Sequence, residues 1–417
     1  MKIIHVTNYF RDTHQHVGGA EQAAFRTAML AWKHNCSIRV VSTKPDSRAN
    51  SPFEVIPLPI LEDYAPRLAR KYLEAAKWYS VQYDPLARRR FRGVLNADPP
   101  DVVHFHNVQF LTLSLLSQAK RAGARTILSI YDYWLFCPTV MLVDTKNGFC
   151  RKAHGHWCID CLPPTLRVLQ KVLLAARRTV IDGYLPLVDR FHVLSEHSRS
   201  VLEGYGIPPN KIRVVPLTLP MEFEDLTVSD DPPDPGMILY AGWLNERKGL
   251  HRLLEAMPAV LAAHPQARVT AVGGKVKFGD AYVERLRNIM KAGGFSDRVT
   301  FTGHIPPSHM KSYIEKAAVV VIPEQYENMS PLLMIEAMVL GKPVVISRAG
   351  GIPEFIEHGV SGLMADPLKP EDFADKIGTV LGDPERARAM GRAARERILS
   401  KLDSELIWEK TRDMYTS

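Results

Sequence analysis

The stretch KIIHVTNYFRDTHQHVGGAEQAAFRTAMLAWKHNCSIRVVST, residues 2–43, decides the fold class. Its first part, KIIHVTNYF (2–10), is apolar and β-branched and predicts a strand, and RDTHQHVGG (11–19) predicts a loop. AEQAAFRTAMLAWKHN (20–35) has apolar residues at helical spacing, and SIRVVST (37–43) predicts a second strand. Strands that alternate with helices indicate a parallel sheet with crossover helices.

The same rhythm continues through the rest of the chain. Short apolar segments followed by polar residues predict the further strands, which are DVVHFH (101–106), TILSIYD (126–132), RFHVLS (190–195), MILYAGW (237–243), ARVTAVGG (267–274), RVTFTGH (298–304), AVVVIP (318–323) and PVVIS (343–347). Between the two halves, SDDPPDPG (229–236) is rich in proline and acid and resembles an interdomain linker. We therefore expect an α/β protein with two Rossmann-like parallel-sheet domains facing a cleft, where ligands of such folds commonly bind.

The predicted boundaries follow from this pattern. They are an N-terminal Rossmann-like domain over 1–215 with a cysteine-rich insertion near 137–161, a linker over 216–236, a C-terminal Rossmann-like domain over 237–400 and a terminal helix over 401–417. We expect the terminal helix to pack on the N-terminal domain.

Composition and charge restrict the class of protein. The 417 residues are 46% hydrophobic and 24% charged, as is usual for globular domains. The sequence has no apolar run long enough to span a membrane and no recognisable signal peptide, so a cytoplasmic location is expected. The net charge of +8 favours acidic partners. Basic stretches between residues 67 and 178 are either solvated helix faces or a face that meets a phosphorylated acceptor or the inner face of a membrane.

Four of the five cysteines lie close together in the sequence. They are Cys137, Cys150, Cys158 and Cys161. In a cytosolic chain such a cluster indicates metal ligands more readily than disulfides, and CIDC (158–161) could hold one edge of a tetrahedral zinc site. His154 and His156 are substitute ligands. Unlinked thiols or a disulfide are the alternatives to structural zinc.

Two glycine pairs and one basic turn are candidate phosphate contacts. Gly18 and Gly19 precede a predicted helix, and Gly350 and Gly351 follow the strand PVVIS. Glycine lets a ligand approach the backbone, and a helix start attracts anions, although glycine also simply forms turns. Arg247 and Lys248 in GWLNERKGL (242–250) carry the charge that phosphate oxygens require. The sequence lacks the G-x-x-x-x-G-K-[ST] pattern of P-loop nucleotide triphosphatases.

The stretch PEQYENMSPLLMIEAM (323–338) contains the most informative carboxylates. Ser330 near the N-cap and Pro331 at the first helical position predict the start of a helix. The backbone N–H groups at that start would face an anion; these belong to Met329, Ser330 and Leu332. Glu336 lies among apolar residues within this helix, where a carboxylate is costly to bury unless it holds hydroxyl groups. Glu327 lies in the loop after the strand AVVVIP.

Several stretches together resemble the retaining glycosyltransferases of family 4, also called group 1, which have the GT-B fold. They are GGAE (18–21), DVVHFH (101–106), ERKGL (246–250), VTFTGHI (299–305), VIPEQYENMSPLLMIEAMVLGKPVV (321–345) and GGIPEFIEHGVSGLMADP (350–367), in the family's order. The resemblance implies a hexosyltransferase-type enzyme that moves a sugar from a nucleotide-diphosphate sugar to a glycan or lipid-linked acceptor. Polysaccharide synthesis for the cell envelope is the expected role.

The resemblance also implies that the domain over 1–215 binds the acceptor and the domain over 237–400 binds the nucleotide sugar, and it implies roles for individual residues. Glu336 would bind the donor ribose, Glu327 the donor sugar and Lys248 the diphosphate. The remaining implied donor contacts are Gly18 and Gly19 at the diphosphate, Gly303 and His304 at the nucleobase, and Gly350 and Gly351 beside the phosphates.

The sequence departs from the family pattern at three places. Glu327 and Glu336 are separated by eight residues rather than seven, so either the loop bulges or Asn328 shares the sugar-binding role. Trp243 stands where family members often have arginine, a charge that Arg247 could supply. Tyr131 replaces a histidine that commonly lies near the donor sugar, and His106 is the alternative histidine.

These departures leave two other functions open. They are a nucleotide-sugar-binding protein of the same fold that has lost catalysis, and a nucleotide-sugar epimerase. For the transferase we expect a same-face reaction in which the departing diphosphate takes the acceptor proton. We expect no cofactor for catalysis, a structural zinc ion as the candidate metal, and no nucleic-acid partner.

Overall fold

The computed structural model describes residues 1–11, 13–14, 18–45, 51–145, 150, 155–164, 166–219, 231–275 and 279–417. The chain forms two compact units. The first unit comprises Met1–Thr218 and Ser404–Ser417, and the second comprises Leu219–Asp403. Most of the predicted linker, residues 220–230, lies outside the described residues.

The first unit is built on a seven-stranded sheet in the order β3-β2-β1-β4-β5-β6-β7, and all its strand pairs are parallel. The strands are β1 (Lys2–Val6), β2 (Ser37–Ser42), β3 (Glu54–Pro57), β4 (Val102–Phe105), β5 (Arg125–Ser129), β6 (Arg190–Val193) and β7 (Ile212–Val214). The helices that connect them are α1 (Gly19–Lys33), α2 (Arg67–Tyr79), α3 (Pro85–Ala97), α4 (Ser114–Arg121), α5 (Arg167–Asp182) and α6 (Glu196–Gly204).

The second unit is built on a six-stranded parallel sheet in the order β10-β9-β8-β11-β12-β13. Its strands are β8 (Met237–Ala241), β9 (Arg268–Val272), β10 (Val299–Gly303), β11 (Val319–Ile322), β12 (Val344–Ser347) and β13 (Leu363–Ala365). Its helices are α7 (Leu250–Ala263), α8 (Asp280–Gly293), α9 (Pro307–Lys316), α10 (Leu332–Val339), α11 (Pro370–Gly382) and α12 (Pro384–Lys401).

Both faces of the second sheet are covered by helices, which explains its unbroken apolar strands. Ile238 and Val321 belong to one core cluster, whereas Leu239 and Val320 belong to the cluster on the other face. Alternate side chains of a strand point to opposite faces, so a strand buried on both sides is apolar throughout. The predicted class of two Rossmann-like parallel-sheet domains is confirmed.

The last helix, α13 (Ser404–Thr416), follows the second unit in sequence but packs in the first. Trp408, Met414 and Tyr415 are buried in the same core cluster as Ile3 of β1, and Trp408 also stacks on His34. The burial of these three large side chains holds the helix in the first unit. The sequence prediction for this helix is confirmed.

Candidate functional site

The topology points to one candidate position in each unit. In the first sheet β1 lies between β2 and β4, and in the second sheet β8 lies between β9 and β11. In each sheet the chain first adds strands on one side of this strand and then on its other side. This reversal leaves a crevice at the carboxyl ends of the strands. Ligands of open parallel sheets bind at such switch points.

In the first unit, the glycine pair at the start of α1 already holds a carboxylate. The amide N of Gly18 donates to Glu21 Oε2 at 2.8 Å, and Glu21 is buried. Asn107, which follows β4, donates to the other oxygen of Glu21 at 3.4 Å. The expected diphosphate contact at the Gly18 amide is therefore occupied by Glu21, which the sequence analysis had quoted but given no role. Gly19 is exposed, and a Cβ added there would meet no atom within 4 Å.

Behind this helix start lies a row of buried imidazoles. His5 of β1 is the register partner of His104 of β4, and the His5 Nδ1 atom lies 2.8 Å from His106 Nε2. His106 Nδ1 lies 2.8 Å from the hydroxyl of Tyr131, so the two residues predicted to be alternatives are in direct contact. A neutral imidazole has one N–H, so His106 either accepts from Tyr131 and donates to His5 or does the reverse. His5 Nε2 has no hydrogen-bond partner among the described residues.

His104 extends the row on its other side. Its Nδ1 atom lies 2.8 Å from the hydroxyl of Tyr415, and its Nε2 atom lies 2.7 Å from Ser129 Oγ. Ser129 Oγ in turn lies 2.7 Å from His192 Nδ1, and His192 Nε2 lies 2.7 Å from the carbonyl oxygen of Val215. Two hydrogen-bonded chains therefore meet where the rings of His104 and His106 stack, with centroids 4.1 Å apart. One chain ends at Tyr131 and the other at the backbone of Val215.

Burial keeps these groups neutral. It lowers the pKa of His5 to about 3 and that of His192 to about 4. Burial, followed by the neighbouring imidazoles, holds the pKa values of His104 and His106 well below the ordinary value, and burial raises the pKa of the Tyr131 phenol. Next to His106 and Tyr131 lies a cavity of about 30 Å³, which has room for one or two water molecules. This end of the sheet can position hydroxyl groups but holds no strong base in the His106–Tyr131 pair.

In the second unit, Lys248 is fixed by the backbone around it. It ends a short 3₁₀ turn, Glu246–Lys248. The amide N of Lys248 donates to Asn245 Oδ1 at 3.1 Å. The next residue, Gly249, has a φ of +70°, and a Cβ added there would lie 1.7 Å from the carbonyl oxygen of Pro323 at the end of β11. Only glycine fits this close approach. The turn is thereby pressed against the end of β11 at the switch point.

The ionic partner of Lys248 is Glu324, which the sequence analysis did not select. Lys248 Nζ donates to Glu324 Oε1 and lies 3.4 Å from the hydroxyl of Tyr326. The side chain of Glu324 is 5% exposed and that of Lys248 is 25% exposed. Burial alone would lower the pKa of Lys248, but the Glu324 carboxylate and Tyr326 raise it above its ordinary value. The ammonium group therefore stays charged.

Asn328 connects this ion pair to the following loop. Its side-chain amide donates to Glu324 Oε2, and its Oδ1 atom accepts from the amide N of Ser330 at 3.2 Å. Its carbonyl oxygen accepts from the amide N of Gly351 at 2.8 Å. The neighbouring Gly350 has a φ of +57°, and a Cβ there would lie 2.3 Å from the same carbonyl oxygen. Asn328 thus holds the second glycine loop beside the Lys248–Glu324 pair.

The start of α10 differs from the prediction. The helix begins at Leu332, and Pro331 is the N-cap rather than the first helical residue. The backbone of Pro331 is extended, with ψ of 124°, so the helical turn starts one residue later. The amide of Ser330, expected to face an anion, is taken by Asn328. Instead, the buried hydroxyls of Ser330 and of Ser347, at the end of β12, lack a hydrogen-bond partner among the described residues, and Ser347 was not selected from the sequence.

The other predicted residues occupy separate positions in the second unit. Glu336 is half-buried in α10 and Glu327 is half-buried in the loop before it, close to the buried Met329. Arg247 lies with its guanidinium carbon 5.9 Å from the centre of the Tyr326 ring. Gly303, with a φ of +73°, ends β10 at the edge of the sheet, and His304 after it is exposed. Trp243 is 47% exposed.

The four clustered cysteines lie outside these positions, in the segment after β5. All are free thiols, and Cys158 and Cys161 belong to the 3₁₀ turn His156–Cys161. Among the described residues, three potential metal-ligand atoms lie within 4.8 Å of one another in His5, His104 and His106. The cysteine thiols of the described residues form no such group. The imidazoles of that group are engaged in the hydrogen bonds given above. The substitute ligand His154 lies outside the described residues, and the zinc site stays a prediction.

Comparison with known proteins identifies the family. Residues 17–222 match the model of Glycosyltransferase Family 4, and residues 223–397 match that of Glycosyl transferases group 1. A D-inositol 3-phosphate glycosyltransferase of Acidothermus cellulolyticus is 30% identical over 70% of this chain and 67% of its own length. Another, of Corynebacterium jeikeium, is 31% identical over 47% of this chain, which spans 49% of that relative.

Solved structures show the same fold. HepE from Anabaena, in complex with UDP-glucose, superposes with a TM-score of 0.68 at 18% identity, over 100% of both chains. Sucrose-phosphate synthase from Thermosynechococcus elongatus superposes with a TM-score of 0.72 at 20% identity, over 99% of this chain and 98% of its own. The predicted GT-B fold is confirmed by these superpositions. Since the two family models together cover residues 17–397, the chain belongs to the group 1 glycosyltransferases of family 4.

Proposed function

We propose that the protein transfers a sugar from a nucleoside-diphosphate sugar to a hydroxyl of a glycan or lipid-linked acceptor, with retention of anomeric configuration. The observation that carries the proposal is Lys248, fixed at the switch point of the second sheet by Gly249 and kept charged by Glu324. A fixed ammonium group at such a position suits an anionic leaving group better than a neutral ligand. An envelope polysaccharide is the product class that we infer.

Lys248 would act on the departing diphosphate. In the proposed reaction the bond between the anomeric carbon and the phosphate oxygen breaks, and the acceptor oxygen forms its bond to that carbon on the same face. The acceptor proton passes to the departing phosphate oxygen, so no charged protein base is required. Lys248 would stabilise the charge that develops on the phosphate, with Arg247 adjacent on the same turn.

The remaining side chains would position the reactants. The buried hydroxyls of Ser330 and Ser347 are suited to donate to phosphate or sugar oxygens. Glu336 would hold the ribose hydroxyls and Glu327 the donor sugar. In the first unit, His106 and Tyr131 offer a neutral hydrogen-bonded pair that can orient a sugar hydroxyl. Orientation of this kind lowers the barrier without any change in protonation.

The test compares two lysines with similar surroundings. Lys376 on α11 has a side chain 23% exposed and lies 3.4 Å from Asp372 and 2.7 Å from Asp375, so it matches Lys248 in side-chain exposure and also has carboxylate partners, although these are more exposed than Glu324. A panel of nucleotide sugars is first screened by thermal shift, and turnover is then followed as release of nucleoside diphosphate. We expect Lys248→Ala to reduce kcat by about 100- to 1000-fold. We expect Lys376→Ala to leave kcat within about twofold.

Other outcomes distinguish the alternatives. Equal turnover in Lys248→Ala and wild type would refute the diphosphate role. Donor binding without transfer or hydrolysis for any acceptor would identify a binding protein, and conversion of the donor sugar without an acceptor would identify an epimerase. Retention is tested by NMR of the product's anomeric proton, and independence from a divalent metal by turnover in EDTA. A binding measurement with Glu336→Gln tests the ribose contact, which we expect to weaken about tenfold or more.

A further inference from the structure

Two neighbouring helices of the first unit expose large apolar side chains to solvent. On α2, Leu68 is 71% exposed and Tyr72 is 46% exposed, and Tyr64 just before the helix is 73% exposed. On α5, Val168 is 82% exposed and Val172 is 64% exposed. Leu68 and Tyr72 are four residues apart, as are Val168 and Val172, so each pair lies on one side of its helix. Single exposed apolar residues are common, but such a set on adjoining helices marks an interaction surface.

The two helices are held side by side by contacts along their inner sides. Gln170 Nε2 of α5 donates to the hydroxyl of Tyr79 of α2 at 3.2 Å. The buried guanidinium of Arg177 donates to the carbonyl oxygens of Trp78, at 2.8 Å, and of Tyr79. α2 and α5 are thus packed against each other, and both exposed pairs lie on the solvent sides of the packed helices. We call the exposed set Tyr64, Leu68, Tyr72, Val168 and Val172 the apolar face.

The border of the apolar face is basic. Its exposed basic residues are Arg67, Arg70, Lys71, Arg167, Lys171 and Arg178. The acidic residues of the two helices are Glu74, which is half-buried, and Asp182, which pairs with Arg178 at 3.3 Å. Asp63 is exposed beside Tyr64. Six cations against three carboxylates leave the surface clearly positive.

This combination fits one partner chemistry. An apolar stripe bordered by lysine and arginine binds anionic bilayers, because the side chains enter the boundary of the headgroups while the cations meet lipid phosphates. Tyrosine suits this depth because its ring is apolar and its hydroxyl is polar. Among the described residues no helix could cross a bilayer. We propose that the apolar face and its basic border dock on the surface of an anionic phospholipid membrane.

The proposal does not depend on the proposed transferase activity, and its test uses the full chain. Co-sedimentation is measured with vesicles of phosphatidylcholine alone and with about one third phosphatidylglycerol added. We expect binding to the anionic vesicles only, and weaker binding as salt rises. Leu68→Glu with Val172→Glu, and separately Arg67→Glu with Lys71→Glu, should each reduce affinity about thirtyfold or more. Thermal melts confirm that the variants fold, as their exposure leads us to expect.

Matched controls lie in the second unit. Arg287 and Lys291 are exposed and four residues apart on α8, so Arg287→Glu with Lys291→Glu repeats the charge change on another helix. Val360, 50% exposed, and Leu368, 54% exposed, repeat the apolar change. We expect both control pairs to bind vesicles within about threefold of wild type. If the control pairs lost as much affinity for anionic vesicles, overall charge would explain the effect and the proposal would be overturned.

Two further outcomes would also overturn it. One is binding by Leu68→Glu with Val172→Glu that equals wild type. The other is self-association through the same face, seen as a concentration-dependent mass in analytical ultracentrifugation that these substitutions abolish, together with no binding to anionic vesicles.

Discussion

Acidification from pH 8 to about pH 5.5 is expected to destabilise the first unit strongly, because its central sheet buries four neutral histidines. They are His5, His104, His106 and His192. Their pKa values in the fold are lowered, to about 3 for His5 and about 4 for His192, whereas an unfolded histidine titrates near pH 6.5. The unfolded chain therefore binds protons that the fold excludes. This stability is complete above pH 6.5 and is lost as the pH falls from there towards the folded pKa values.

The size of this loss in unfolding free energy depends only on protonation of the unfolded state, because the four histidines stay neutral in the fold. One pH unit below its pKa, an unfolded histidine gains about 1.4 kcal/mol from protonation. His5, His104 and His106 influence one another in the fold, but this coupling does not enter while all of them are neutral there. Four histidines then reduce the unfolding free energy by about 5–6 kcal/mol at pH 5.5. This loss is comparable to the whole stability of many domains.

Urea unfolding followed by tryptophan fluorescence measures the effect. Five of the six tryptophans, all except Trp243, belong to the first unit, so the signal reports mainly on the affected part. We expect the unfolding free energy to fall with a limiting slope of about 5.5 kcal/mol per pH unit below pH 6, which corresponds to the uptake of about four protons on unfolding. His192→Gln should reduce this slope by about one proton, and His309→Gln, exposed on α9, should leave it unchanged. A stability that is level between pH 8 and pH 5.5 would refute the neutral buried row.

Three other expectations are independent of this one. Gly249→Ala should lower the melting temperature of the second unit sharply, because its Cβ would meet the Pro323 carbonyl. Gly294 has a similar φ of +69° and no atom within 4 Å of an added Cβ, so Gly294→Ala should lower the unfolding free energy by only about 1–2 kcal/mol. Gly19→Ala should fold and bind donor normally, whereas Gly19→Leu should fold but weaken donor binding in calorimetry. Elemental analysis should find about one zinc ion per chain, which Cys158→Ser should reduce.

The sequence predicts the two sheets because each central strand lies within a mainly apolar segment of five or more residues that is followed by a periodic helix. It does not predict β3, β7 and β13, which have three or four residues each. Strands this short have no distinct period, and they form because a neighbouring strand already offers its edge. Residues 212–214 and 363–365 pair with buried strands that supply most of the apolar contact. Such strands depend on tertiary structure.

The candidate residues divide in the same way. Lys248 can be selected from a basic turn between a strand and a helix, but its partner lies 76 residues later. Glu324 follows Pro323 directly, the same strand-end position that drew attention to Glu327, and only the packing shows which carboxylate is 5% exposed and bound to the lysine. The contact of His106 with Tyr131 likewise needs the pairing of β4 with β5. Spacing selects residue types, whereas sheet order decides which of them meet.

The directions of the pKa shifts favour a reaction without protein acid–base catalysis. Burial lowers the pKa of His106 below 6.5, burial raises that of Tyr131 above 10, and Glu324 raises that of Lys248 above 10.5. Each shift moves the pKa of the group further from pH 7, whereas an efficient general acid or base has a pKa near the working pH. A site selected for proton transfer would be expected to show the opposite shifts. The same shifts keep the protonation states constant. Lys248 stays a cation that can stabilise phosphate charge, and His106 and Tyr131 stay neutral partners for hydroxyl groups. Proton transfer to the departing phosphate is the step consistent with both.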